Sequence, residues 1–308
     1  TTENDPFAVS EEEESSVFAS WGADMDWEEG KYYEFNYAPE ITFTRLVHSY
    51  GKRGNFGLVM YINGILQPCK LDNSEEKLLH IYELDNEEKK QTISFSPVVG
   101  EKGDKLYVEI CKIYDPNFVP SSPYPHYKFS HEFNNMTVTV DVTETTGKTY
   151  PPICTNYVKE PVTEEIRNGF QNEWKPENDL DRMDFVKTLK NGNFYTTEDY
   201  ANGQADQTPF EVTDSVEIAL YGGGEPCMYR VSMYINHQLV KGAFDGMDYI
   251  DMEMSKNYIS RKQVDYKNSG IKLNEYNFIY FVAVPLYGEY APTEKRLWNS
   301  DSVTLMGY

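Results

Sequence analysis

Apolar and polar residues alternate along this chain with a period of two. Met136, Val138, Val140 and Val142 fall on one side of an extended segment, with Thr137, Thr139 and Asp141 on the other. That is the pattern of a strand with one face against a core. Leu58, Met60 and Ile62 alternate in the same way, as do Val216, Ile218 and Leu220, then Val231, Met233 and Ile235, then Ile279, Phe281 and Ala283. Further strands are expected at 92–96 and 105–113. Turn residues separate these runs. Asn63-Gly64 follows Ile62 at once, and this pair favours a type I′ hairpin because both residues tolerate positive φ. Short strands at such spacing, divided by Gly- and Pro-rich turns, read as a β-sandwich.

The strand pattern is written twice. Met-Tyr-Ile-Asn stands at 60–63 and again at 233–236, an offset of 173 residues. At the same offset Leu106, Tyr107 and Val108 fall on Ile279, Tyr280 and Phe281, while Gly51, Leu66 and Tyr114 fall on Gly224, Leu239 and Tyr287. A unit this long is too large for a solenoid repeat and suits a complete small domain. The expected fold is therefore all-β: two tandem duplicated β-sandwich, immunoglobulin-like domains with a short, partly helical connection. Residues 1–30 form an acidic tail or strap, 31–145 the first sandwich, 146–203 the connection and 204–308 the second sandwich. Within the connection, Thr163 ahead of Glu164-Glu165-Ile166 reads as a helix cap, and 179–189 as a second short helix. Asn236-His237 replaces Asn63-Gly64 in the second copy, keeping a turn at modest cost. At the constant offset Glu109 becomes Val282, which implies a strand face solvated in one copy and covered in the other.

Composition narrows the partners. Fifty acidic against 28 basic residues give a formal charge of −22, which repels phosphate backbones and anionic headgroups. Nucleic acid and membrane insertion are excluded as defaults, and no apolar run reaches the roughly 18 residues of a membrane helix. The first thirty residues include Glu11 to Glu14 and no lysine or arginine, the composition of a solvated tail, although Trp21 and Trp27 suggest a strap that docks. The chain opens on Thr1-Thr2, which we read as a trimmed, exported form lacking its signal segment. Cys69, Cys111, Cys154 and Cys227 lack CxxC spacing and do not match across the repeat. They argue against a metal knuckle and leave either one bridge or four free thiols.

Candidate chemistry lies mainly in aromatic residues. Tyr61 and Tyr107, with counterparts Tyr234 and Tyr280, sit opposite the core-facing positions of their strands. An outward tyrosine offers a flat apolar platform with a polar tip for a sugar or a protein, and cross-strand packing is the alternative. Tyr124 and Tyr127 lie in a proline-rich stretch expected to be an extended loop at a domain edge. Asp245, Asp248, Asp251 and Glu253 form the densest acidic cluster of the repeats, a weak candidate for calcium through hard oxygen ligands; no EF-hand spacing is present. Otherwise no metal or cofactor is expected. No catalytic motif stands among the histidines or serines, and fifty carboxylates do not nominate a glycosidase pair.

In layout the chain resembles exported bacterial proteins built of tandem immunoglobulin-like β-sandwiches behind an acidic, serine-containing leader. The resemblance implies a secreted or cell-surface, non-enzymatic module that binds glycan or protein in adhesion. A structural spacer and a carboxylate-dependent glycoside hydrolase are the alternatives.

Overall fold

The computed structural model describes residues 18–23, 33–50, 54–85, 88–97, 99–114, 116–117, 134–145, 147–163, 184–194, 210–211, 213–222, 224–266, 270–292, 294–300 and 303–307. No helix occurs among them. The chain divides into two compact units, one made of Thr1–Ile62, Leu66–Phe118 and Lys128–Lys148, the other of Asn63–Ile65, Val119–Tyr127 and Thr149–Tyr308.

The first unit contains β1 (Phe18–Ala23), β2 (Tyr33–Asn36), β3 (Ile41–Tyr50), β4 (Gly54–Ile62), β5 (Ile65–Gln67), β6 (Lys70–Leu71), β7 (His80–Leu84), β8 (Glu88–Phe95), β9 (Lys105–Tyr114) and β10 (Asn134–Asp141). One sheet runs β1-β3-β8-β6 and the other β2-β10-β9-β4-β5, with β7 on the outside of β4. Alternation builds the core directly. Ile41, Phe43, Val47, Ile93 and Phe95 from the first sheet meet Phe56, Leu58, Met60, Leu106, Val108, Ile110, Val138 and Val140 from the second, all buried. Each such side chain contributes about 1.5–3 kcal/mol on leaving water. Two sheets closed over one core make a β-sandwich, and β1-β3-β8-β6 against β4-β9-β10 is the immunoglobulin-type arrangement of strands. The strap containing Trp21 is a strand here: β1 runs antiparallel to β3 with Trp21 opposite Val47.

The second unit contains β11 (Ile153–Cys154), β12 (Val158–Pro161), β13 (Asp184–Lys190), β14 (Asn193–Phe194), β15 (Phe210–Glu211), β16 (Val216–Gly222), β17 (Cys227–Ile235), β18 (Gln238–Leu239), β19 (Tyr249–Met254), β20 (Tyr258–Gln263), β21 (Tyr276–Pro285), β22 (Trp298–Asn299) and β23 (Val303–Met306). Its sheets run β12-β20-β16-β13-β14 and β11-β19-β17-β21-β23-β15. Val216, Ile218 and Leu220 meet Tyr229, Val231, Met233, Ile250, Met252, Ile279 and Phe281 in its core. β13-β16-β20 and β15-β23-β21-β17-β19 repeat the order of β1-β3-β8 and β2-β10-β9-β4-β7, whereas the place of β6 is taken by β12, which precedes β13 in the chain. In both, a short strand closes the larger sheet in parallel: β2 on β10 and β15 on β23.

Three expectations change. Asp184–Lys190 is a strand and not part of a helix. Its Val186 enters the main core while Phe185 and Leu189 pack on the opposite face, an alternation that a helix would not keep on two faces. Residues 164–183, with the rest of both expected helices, lie outside the described residues. Glu109 is not solvated: it is fully buried, like Val282, and accepts a 2.9 Å hydrogen bond from the Thr137 hydroxyl. Nor do Glu109 and Val282 occupy the same place. Ile62 stands opposite Val108, whereas Ile235 stands opposite Ile279. Pairing is thus two residues out of step with the constant sequence offset, a shift that leaves each side chain on its own face because the strand period is two.

Both hairpin turns form as expected. Asn63 and Gly64 have φ of 45° and 77°, and Asn236 and His237 have 50° and 63°, the left-handed pair of a type I′ turn. Gly222 is required for a different reason. A Cβ there would lie 2.6 Å from Met254 Cγ and 2.9 Å from Asp184 Oδ1.

Candidate functional site

The outward tyrosines of the strands are mostly buried. Tyr61 is 0% exposed, Tyr234 2% and Tyr280 1%, while Tyr107 is half-buried. In the second unit Tyr234 and Tyr280 are direct cross-strand partners, with ring centroids 5.2 Å apart and planes within 11°. The Ser232 hydroxyl donates to Tyr234 OH at 3.3 Å. His237 Nδ1 lies 2.9 Å from Tyr280 OH, and burial pushes the pKa of this imidazole down to about 4. In the first unit the two-residue shift separates the pair: Tyr61 faces Glu109 and Tyr107 faces Thr139. Tyr124 and Tyr127 lie outside the described residues.

The acidic cluster is divided among separate cations. Asp245 Oδ2 accepts from Lys262 Nζ at 2.6 Å and from Asn156 Nδ2 at 2.9 Å, and these bonds hold its carboxyl below the usual range. Asp248 takes Lys241 Nζ and the Gly242 amide, both at 2.8 Å. Asp251 forms a bidentate pair with Arg230, Nε to Oδ1 at 2.8 Å and Nη2 to Oδ2 at 2.9 Å, with the guanidinium 5.2 Å above the Tyr150 ring. Glu253 meets Lys159 Nζ at 2.5 Å, which holds its carboxyl low. Four carboxylates that each face their own cation do not converge on a shared point, and among the described residues no group of three or more metal-ligating side chains forms.

Two polar clusters were not foreseen. At one end of the second unit, Asp184, Cys227, Tyr229 and Lys295 come together. Burial raises the Asp184 carboxyl against the pull of Lys295. Burial also pushes the Cys227 thiol up to about 11 and raises the Tyr229 phenol. Lys295 donates to the Glu225 carbonyl at 2.6 Å and lies 5.3 Å over the Tyr290 ring. A thiol with so high a pKa is protonated at neutral pH and is a poor nucleophile.

The other cluster is in the first unit's core. Arg45 is fully buried and directs Nε and Nη2 onto Gln91 Oε1 at 2.9 and 2.6 Å. Its guanidinium lies 5.4 Å from the Tyr82 ring centroid, and Tyr82 stacks on Phe56 at 6.1 Å. Burial lowers the Arg45 pKa and pushes the neighbouring Cys69 thiol up to about 12. Its sequence signal was phase: Arg45 falls in step with Ile41, Phe43 and Val47 on the core side of β3. All four cysteines are free and buried.

No described protein family matches this sequence, and neither does any curated protein. Among solved structures, the SafA pilin in complex with the SafB chaperone from Salmonella enterica overlaps at a TM-score of 0.25 and 9% identity, covering 93% of this chain and 95% of that one. The CsuC-CsuE chaperone–tip subunit complex of Acinetobacter baumannii overlaps at 0.22 and 9%, covering 95% and 99%. A β-glucuronidase of Bifidobacterium dentium complexed with coumarin-3-O-glucuronide overlaps at 0.23 and 9%, covering 87% of this chain and 40% of that one. Overlap of that degree assigns neither fold nor role.

Proposed function

We propose that this chain is a non-enzymatic binding module of an exported, cell-surface protein, built by tandem duplication of one β-sandwich domain, with a protein or glycan as its ligand. The observation that carries this reading is the state of the reactive groups. The clustered carboxylates are each neutralised by a cation, and the four thiols are buried and free. These groups are spent on internal packing and pairing, and backbone edges and scattered apolar side chains remain for recognition. Duplication is supported by the strand order common to the centres of the sheets, by the parallel closing strand in each unit, and by β4 and β17 starting and ending at the same offset as the Met-Tyr-Ile-Asn repeat.

A thermal-denaturation screen tests the reading. A ligand that binds only the folded chain raises the melting temperature by mass action. The panel comprises polysaccharides and purified extracellular glycoproteins, each with and without calcium. A reproducible upward shift with one of them is the expected result, and it should not depend on calcium, because Asp245, Asp248, Asp251 and Glu253 already hold cations. Release of reducing sugar from any polysaccharide would replace this reading with the hydrolase, and a panel without any shift would replace it with the spacer.

A further inference from the structure

Resting on the reading of the chain as a binding module, we infer that the outer edge of β7 is a docking site for an extended peptide from a partner protein, added to the sheet as a parallel strand. The second unit shows what occupies this position. There β19 is the counterpart of β7: Val231 faces Ile250 on β17–β19 as Leu58 faces His80 on β4–β7. But β19 is not at the edge. The segment β11 pairs with it in parallel, Ile153 beside Tyr249 and Cys154 beside Ile250. Cys154 enters the core, Asn156 reaches Asp245, the Glu253 amide donates to Tyr157 OH at 3.3 Å, and Lys159 engages Glu253.

In the first unit, β4 is the only strand partner of β7 among the described residues, so Leu79 and His80 stand where Tyr249 and Ile250 take a strand. Large apolar side chains are exposed at this edge: Leu78 is 48% exposed and Ile81 49%. In the covered edge of the second unit the position of Ile81 belongs to Asp251, opposite Arg230 where Ile81 is opposite Gly57. A mostly buried ion pair on the covered edge is thus an exposed isoleucine on the open one. A β-edge with apolar side chains beside it recognises an extended peptide through main-chain hydrogen bonds, with side-chain packing adding selectivity. Exposed Asp85 follows β7 at the end toward which a parallel peptide runs, so the peptide carries a small apolar residue facing the core and a basic residue a few positions beyond, as the segment from β11 into β12 carries Cys154 and then Lys159.

The test uses the full chain and, as probe, a fluorescent peptide with the sequence of residues 149–159 and Cys154→Ala, the segment type that already pairs with the equivalent edge. Anisotropy should show saturable binding. Amide hydrogen exchange should slow at 79–81 and stay unchanged at 249–250. Leu78→Asp with Ile81→Asp should weaken binding about tenfold while leaving urea unfolding of the chain unchanged, since both side chains are half exposed. Equal binding of a scrambled peptide, no protection at 79–81, or unchanged affinity in the double variant would overturn the proposal. So would a concentration-dependent dimer abolished by Ile81→Asp, which would assign the edge to a second copy. A ligand from the melting screen whose shift survives Ile81→Asp would remove this site and leave the binding-module reading standing.

Discussion

Gln91→Leu should destabilise the first unit by about 3 kcal/mol, although it removes one amide and leaves the volume almost unchanged. The reason is the guanidinium of Arg45, taken out of water into the core of a sandwich. Its Nε and Nη2 both rest on Gln91 Oε1, at 2.9 and 2.6 Å. A hydrogen bond to a charged group is worth about 1.5–3 kcal/mol, and losing the acceptor while the charge stays buried adds desolvation that the Tyr82 ring 5.4 Å away offsets only in part. Two donors on one oxygen do not count twice, so the estimate stays near the upper end of one such bond. Arg45→Met takes the charge away together with its demand for partners, and replacing a buried ionic group by an apolar one of similar length is often neutral or better. The double variant Arg45→Met with Gln91→Leu should therefore recover to within about 1 kcal/mol of the parent. Urea unfolding followed by intrinsic fluorescence measures this, and with two units the affected transition also identifies where the loss occurs. A Gln91→Leu cost below about 0.5 kcal/mol, or a double variant no more stable than the single one, would mean that Gln91 does not hold the buried charge.

The low pKa of His237, about 4, makes the second unit sensitive to acid. Between that value and the roughly 6.5 of an unfolded histidine, the unfolded chain binds the proton and the folded one does not, so stability falls as pH drops through this window and levels off below it. The contribution is of order 3 kcal/mol, and His237→Asn, which tolerates the positive φ of the turn, should flatten the slope in pH-dependent unfolding. For the thiols, all four cysteines being buried, a small aromatic disulfide reagent should react slowly with the native chain and label all four at once in denaturant; a fast-reacting native thiol would contradict the packing.

Strand content was legible because alternation reports burial directly. Met136 to Val142 and Leu58 to Ile62 were read from their side chains alone, and the Asn63-Gly64 turn from its backbone preference. The strand at Asp184–Lys190 was missed because its alternation buries two faces, Val186 on one and Leu189 on the other, so it loses the polar half of the pattern. Site residues were harder to read. Tyr234 and Tyr280 were placed on the correct face, but what covers a sheet face is decided by residues remote in sequence. Arg45 was visible by phase, in step with Phe43 and Val47, yet a charge at a core position is ordinarily taken as a break in the pattern. The separation of Asp245, Asp248, Asp251 and Glu253 onto different cations depends on Arg230, Lys159 and Lys262, whose proximity only the pairing of strands creates.

The two-residue difference in pairing between β4–β9 and β17–β21 sets a rule for exchanging parts between the two halves. A chimera that grafts the late strand of one half into the other at the constant sequence offset would present its apolar side chains to the core and still seat every outward residue beside the wrong neighbour. Tyr280, so transplanted, would keep its side and lose Tyr234. Grafts joined at strand partners, with the preceding loop lengthened or shortened by two residues, keep both. Inserting a single residue instead would turn the strand over, so loop length between these strands is free to drift only in even steps.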